Sequence, residues 1–436
     1  MSTNEHVDGA RVLARAGWRI IPLLGLAYLV AFMDRANISF AAKTMNADLG
    51  FSATVYGIGG GVFFLSYALF EIPSNIILAR VGARRWIARI MIMWGVIAAA
   101  MMFVRTPWQF YTMRFLLGLA EAGFFPGVIF YLSLWFPRAA RGRAISRFYI
   151  SGPLTRVVMG VVSIWLLNLN GVAGLTGWQW LFVGEGLPAV LVGVMVLVLL
   201  PERPEVVGWL NTSEKRWLTD QLARDAASAG HQHHTGHHLA ALRQPIVLLL
   251  GLVGFLTGGA YYTFTLSEPQ ILAQATGWSA AHVGYAISLG GLAGAGGMLV
   301  TGWLSDRIGT RIPFLYASTA LVMIAYMLFV VGGGRTTGLI GYTCFVAAWG
   351  SVTLSVWILC TDLVAPAQMA VGTAMVNTMS QIGAFVGPIM WGVAKDATGS
   401  FHLGFIGLAA AQAIALGFVA ALARHAKKGV VAVPAG

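Results

Sequence analysis

Apolar residues run through this chain in long unbroken blocks, not in the alternating or one-faced patterns of a soluble core. As a helix, the block from Trp18 to Phe40 would cross a hydrocarbon layer of about 30 Å. Twelve spans of this kind are expected, over residues 18–41, 53–79, 87–104, 108–136, 145–168, 178–200, 245–273, 281–304, 312–332, 337–361, 366–392 and 402–424. A transmembrane barrel would instead need short alternating segments. Residues 201–244 divide the spans six and six. This linker holds Pro201 and Pro204, then a charged stretch over 212–227 with Trp217 and Leu222, which predicts a short interfacial helix. The expected organisation is therefore a six-helix bundle over 1–200, a cytoplasmic linker over 201–244 and a second six-helix bundle over 245–436.

Composition agrees with an all-α membrane protein. Of 436 residues, 58% are hydrophobic and 10% charged, against about 25% charged in a typical soluble domain. The 54 glycines suit helices that approach closely through small side chains. The net charge of +12 would fit a nucleic-acid partner, but its placement argues against one. Basic residues gather on one side: Arg11, Arg15 and Arg19, the loops after spans 2, 4 and 8, the linker, and Arg424, Lys427 and Lys428. The other side receives Lys43, Arg105, Arg335 and Lys395. That asymmetry puts both termini in the cytoplasm. Residues 1–17 carry no small-residue cleavage site, so the first span is expected to be retained. Cys344 and Cys360 fall in one predicted helix, about 24 Å apart along its axis, so no disulfide is implied. His231, His233, His234, His237 and His238 read as a solvated linker in preference to a metal site. Neither a phosphate-binding loop nor a nucleophile–base set is present, which disfavours an ATP-driven pump, a membrane enzyme and any cofactor.

An internal repeat supports the six-plus-six division. After span 8 the chain reads Gly302-Trp303-Leu304-Ser305-Asp306-Arg307-Ile308-Gly309-Thr310-Arg311. The corresponding point after span 2 carries a degraded copy with Arg80, Gly82, Arg84 and Arg85, where Asn75 and Ala79 replace the leading Gly and the Asp. Glycine permits a tight turn at the membrane surface, while Asp and Arg cap and clamp helix ends. The second copy resembles the loop signature of the major facilitator superfamily, Gly-x3-Asp-Arg-x-Gly-x-Arg, at each key position. The resemblance covers the whole chain and implies two six-helix bundles around a central cavity.

Four charges stand inside the first half: Asp34 and Arg35 on span 1, Arg114 and Glu121 on span 4. A charge at bilayer depth costs roughly 2.5–3.5 kcal/mol on insertion scales, so charges kept there face the bundle interior. Arg114 and Glu121 are seven residues apart and share a helix face. The patterns Asp34-Arg35-x-Asn37 and Arg114-Phe115-x-x-Gly118-x-x-Glu121-x-Gly123-x-x-Pro126 resemble the anion:cation symporters of the superfamily, and most of all the bacterial tartrate-type organic-acid transporters. That resemblance implies proton-coupled uptake of an organic anion, with Asp34 and Glu121 handling protons, Arg114 partnering Glu121, and Arg35 holding a substrate carboxylate. The planar fork of Arg matches a carboxylate better than Lys does.

Arg156 on span 5 departs from the expected pattern. It is a second cation for a dicarboxylate, a hindrance to transport, or a partner reaching toward Asp34. Tyr67 on span 2 is a substrate hydroxyl contact or a packed aromatic, and Glu71 is expected to pair with a loop arginine. Tyr261 and Tyr262, with Glu268 nearby, mark a binding wall or gate on span 7. Ser355 and Trp357 on span 10, and Asn377 and Gln381 four apart on span 11, add groups suited to a hydroxylated ligand or to helix–helix bonding. Glu185 on span 6 reads as structural.

The sequence therefore predicts a secondary transporter of the bacterial inner membrane, active as a monomer, that imports a hydroxylated carboxylate or dicarboxylate such as tartrate with protons. An aromatic acid such as 4-hydroxyphenylacetate, a sugar acid, or a transporter-like sensor that binds without transporting are the alternatives.

Overall fold

The computed structural model describes residues 7–230, 243–332, 334–364 and 369–431. The histidine-rich part of the linker lies outside them. The first half contains α1 (Gly9–Leu49), α2 (Ala53–Val81), α3 (Ala83–Ala100), α4 (Pro107–Glu121), α5 (Phe124–Ser133), α6 (Arg138–Tyr149), α7 (Ser151–Leu167) and α8 (Gly177–Leu199). The linker forms α9 (Thr212–Gly230). The second half contains α10 (Pro245–Thr276), α11 (Ala280–Ile308), α12 (Ile312–Val331), α13 (Arg335–Leu363), α14 (Met369–Thr398) and α15 (His402–Val431). No strand occurs among the described residues. The pairs α4–α5 and α6–α7 each make one crossing.

Eleven crossings among the described residues are long and apolar enough to span a membrane. The twelfth expected span is α14, 30 residues long, which carries Asn377, Ser380 and Gln381 and is not among the eleven. It is inserted between α2 and α10 all the same, so protein contacts cover much of its polar content.

Local chemistry sets the helix ends. Asp8 caps α1 by accepting from the Arg11 N–H at 3.1 Å, and Gly50 closes the helix in the left-handed region at φ 66°. Thr106 and Gln109 form a reciprocal capping box at the start of α4, with Pro107 in the first turn. The break between α4 and α5 centres on Gly123, at φ +87°. A Cβ there would also come within 2.4 Å of the Ser74 hydroxyl, so glycine is required twice over.

The repeated loop motifs act locally. Gly82 and Gly309 end α2 and α11, and their N–H groups donate to Leu78 and Ser305. Arg80 lies in the last turn of α2, where the helix dipole favours a cation. Arg84 pairs with Glu202 at 3.4 Å, and Arg85 is exposed. Arg311 bonds Ser305 and Asp306, Arg307 sits over the Trp303 ring, and Gly302 faces Leu354 of α13 with room for a Cβ. The linker is tied to the first half. Arg15 pairs with Glu214 at 3.1 Å, Trp209 stacks on Trp135, and Leu218 of α9 is fully buried.

The two halves meet at the side opposite the linker. A Cβ on Gly57 would lie 2.2 Å from the Pro388 carbonyl, and one on Gly61 2.5 Å from that of Phe385; glycine is what lets α2 and α14 touch. The Asp396 carboxylate accepts from the free N–H groups of Ala53 and Thr54 at 2.9 and 2.7 Å, a cap on α2 supplied by the other half. Tyr56 donates to the Leu266 carbonyl at 2.7 Å, and Ser288 to that of Val157 at 2.9 Å. Toward the termini, Asn377 Nδ2 donates to Glu71 at 3.0 Å. Glu71 therefore bonds the opposite bundle, not a loop arginine.

Asp396→Ala removes the cap that the second half supplies to α2 and should weaken this seam by about 1 kcal/mol. In a background lacking the native cysteines, the thiol-labelling rate of Lys43→Cys, which faces the seam, should rise roughly fivefold in the Asp396→Ala variant. An unchanged labelling rate would show that the cap does not hold the seam.

Candidate functional site

Two arginine–carboxylate pairs stand inside the protein, one within the first half and one joining the two halves. In the first, Arg35 Nε donates to Glu121 Oε1 at 2.6 Å. Glu121 is the last residue of α4, so the break at Gly123 places its carboxylate at a helix C-terminus, where the dipole does not help a negative charge. Its direct neutraliser is thus Arg35 from α1. The guanidinium of Arg35 also lies over the rings of Tyr67 at 4.9 Å, Phe32 at 5.4 Å and Phe63 at 5.6 Å. Tyr67 is buried against this cation.

Arg114 does not pair with Glu121 as the resemblance implied. Its Nε donates to the Gly59 carbonyl at 3.2 Å, its guanidinium packs over Phe63 at 4.7 Å, and its Nη1 has no hydrogen-bond partner. Arg114, Asp34 and Glu121 are each 1% exposed, so three of the four charges are sealed from solvent. Asp34 Oδ1 accepts from Asn37 Nδ2 at 3.1 Å, while Oδ2 and the second oxygen of Glu121 lack partners.

The second pair is built on Arg156. Its Nη2 donates to both oxygens of Glu268, at 2.5 and 2.7 Å, and its Nη1 to the Tyr261 hydroxyl at 3.3 Å. Tyr342 of α13 donates to the same carboxylate at 2.7 Å. Arg156 therefore reaches across to α10 and not toward Asp34. Tyr261 stacks on Trp349 with ring centroids 4.1 Å apart and planes 10° from parallel.

Adjacent tyrosines join the two pairs. The rings of Tyr261 and Tyr262 are 5.1 Å apart; Tyr262 packs on Phe64 at 4.3 Å and turns its hydroxyl toward Arg35. In both pairs the acid is hidden and the base keeps an accessible edge. Side-chain exposure is 17% for Arg35 against 1% for Glu121, and 26% for Arg156 against 5% for Glu268. An anion arriving between the bundles meets guanidinium first.

Other predicted residues fall outside this arrangement. Trp357 is 41% exposed and is not brought to the charged pairs; the α13 tryptophan that reaches them is Trp349, eight residues earlier. Ser355 and Gln381 are buried with no hydrogen bond to either pair, and Asn377 is engaged by Glu71. Tyr342, Trp349 and the Gly59 carbonyl were missed from sequence. Tyr342 and Trp349 are seven residues apart, two helical turns, which puts them on one face of α13 but does not identify them as neighbours of Arg156. No group of three or more His, Cys, Asp or Glu side chains suited to a metal occurs among the described residues.

Comparisons with known proteins identify the family. A provisionally named tartrate transporter of Agrobacterium vitis is 41% identical over 422 residues, covering 97% of this chain and 93% of that protein. A quinolone resistance transporter of Acinetobacter baumannii is 36% identical over 398 residues, with 90% of each chain covered. A bacterial homologue of the human lysosomal transporter Spinster, solved in an inward-facing, unoccupied conformation, superposes with a TM-score of 0.76 at 16% identity, over 97% of this chain and 98% of that one. Residues 24–388 match the family pattern of the Major Facilitator Superfamily, and the chain is a multi-pass membrane transporter belonging to that superfamily.

Proposed function

We propose that this transporter is a proton-coupled symporter that brings an organic dianion, with tartrate as the model substrate, across a bacterial inner membrane. The observation that carries the reading is the pair of accessible guanidinium groups, Arg35 and Arg156, each held by a buried carboxylate and linked through Tyr261 and Tyr262. A dicarboxylate offers two forks to two forks. The high identity to a protein named for tartrate supports the substrate class.

The mechanism follows from competition for arginine. Glu121 and Glu268 occupy the guanidinium groups when no substrate is bound. Protonating Glu121 removes the charge that holds Arg35 and frees it for a substrate carboxylate. Deprotonation restores the internal pair and expels the anion. Asp34, buried one residue away, carries a proton through the same cycle, and Arg114 limits the cost of its charge. The contact at the seam opposite the termini then represents the inward-facing state, given both termini in the cytoplasm by the charge asymmetry. Asp396, Tyr56 and Ser288 hold the outer side shut, and opening it requires these bonds to break.

In proteoliposomes with an imposed inward proton gradient, wild-type protein should accumulate labelled tartrate. Asp34→Asn and Glu121→Gln should lose gradient-driven accumulation while keeping tartrate counterflow; equal loss of both activities would contradict a proton role for these acids. Arg35→Lys and Arg156→Lys each exchange a planar fork for a point charge and should weaken tartrate binding roughly tenfold or more. Binding at wild-type strength in both variants would overturn the two-arginine site. Reduced quinolone sensitivity of expressing cells, without tartrate uptake, would place this chain's activity with the drug transporter instead.

A further inference from the structure

Glu185 of α8 has no role in the cycle described so far, yet its environment is hard to explain as packing. It is 2% exposed, and neither carboxylate oxygen has a hydrogen-bond partner. Around it, Asn37 Oδ1, Asp34 Oδ2 and Ser163 Oγ are also buried and unpartnered. An isolated carboxylate in such a place is strongly disfavoured, and buried polar atoms in a native fold find partners.

The groups facing Glu185 are few. From α1 come Asp34 and Asn37, and from α7 comes Ser163. From α3, Gly95 and Ala99 press against Gly186, and no ionisable residue occurs between Ile90 and Val104. Of the nearby cations, Arg35 pairs with Glu121 and Arg156 with Glu268, while Arg114, bonded to the Gly59 carbonyl, sets its charge against Asp34 and not against Glu185. Glu185 thus has an acid for its charged neighbour and no base of its own.

One proton satisfies the cluster except for Asp34 Oδ2. A neutral Glu185 donates its O–H to Asn37 Oδ1, whose amide nitrogen already donates to Asp34. Ser163 then donates its hydroxyl to the other Glu185 oxygen. Three orphaned groups are satisfied without moving a helix. We propose that Glu185 is a further proton-binding site of the transport cycle, poised to exchange its proton with Asp34 Oδ2 beside Asn37. The inference rests on the proton-coupled reading above and adds a residue to it. In the exchange, the Glu185 O–H bond breaks and an O–H bond forms on Asp34; the negative charge moves the other way, and no other reactant is needed.

Two readouts test the site. The first is the ratio of protons to tartrate in proteoliposomes, with Glu185→Gln as a near-isostere of the neutral acid. Each coupled proton multiplies the accumulation limit about tenfold per unit of pH gradient. Glu185→Gln should therefore lower that limit about tenfold at a one-unit gradient and reduce the proton ratio by about one. Counterflow should be preserved. A wild-type ratio in this variant would show that Glu185 is structural and overturn the proposal. Failure of the wild type to couple protons at all would defeat the parent reading separately.

The second readout needs no transport. Infrared difference spectra between acid and alkaline protein should contain a protonated-carboxyl band that Glu185→Gln removes. Ser163→Ala, which leaves Glu185 in place, should move the pH at which that band titrates. A band unaffected by both changes overturns the proposal, as does sodium-dependent stabilisation that Glu185→Gln abolishes, because the oxygen cluster would then hold a cation and not a proton.

Discussion

The ion pair between Arg35 and Glu121 constrains the rest of the structure. Neither charge is tolerable alone between membrane-spanning helices, and losing one partner of a buried pair costs about 3–5 kcal/mol. α1 and α4 must therefore stay in register wherever the first bundle moves. The break at Gly123 makes the register attainable: it ends α4 at Glu121 and turns the chain before Phe124. The aromatic floor of Phe32, Phe63 and Tyr67 beneath the guanidinium replaces water without adding a competing charge.

Arg156 and Glu268 repeat the same solution with a different consequence. Arg35 and Glu121 belong to one bundle, whereas Arg156 and Glu268 join α7 of the first half to α10 of the second. The first pair can stay closed while its bundle moves rigidly. The second must break or stretch whenever the bundles separate at that level. Small residues along the seam do the complementary work. Gly57 and Gly61 permit backbone contact with α14, so closure of that side relies on packing and on a few directed bonds from Asp396, Tyr56 and Ser288. A seam of that composition can open without stranding a charge.

The spans were legible because lipid demands long apolar runs, and eleven crossings satisfy that demand outright. α14 diluted the signal with Asn377, Ser380 and Gln381, polar residues that other helices cover. The intramembrane charges were equally legible, since so few residues of that kind are present. Their pairing was not. Helical periodicity gives the face of a residue but not the helix across from it: it put Arg114 and Glu121 on a shared face, and the partnership that the resemblance implied for them is not the one the fold makes. The partner of Arg156 lies 112 residues away. The same blindness separates Trp349 from Trp357: both lie on α13, and only the tertiary fold turns one to Tyr261 and the other outward. The setting of Glu185 was likewise hidden, because the unpartnered Asn37 and Ser163 atoms beside it come from α1 and α7.

Proton linkage to binding is the most direct test of competition for Arg35. Calorimetry of tartrate binding to the purified protein, repeated in buffers of different ionisation heat, counts protons taken up per ligand. Net uptake is expected near neutral pH and should be largely absent in Glu121→Gln, whose arginine is already free. Tartrate binding with no net proton exchange in the wild type would contradict it.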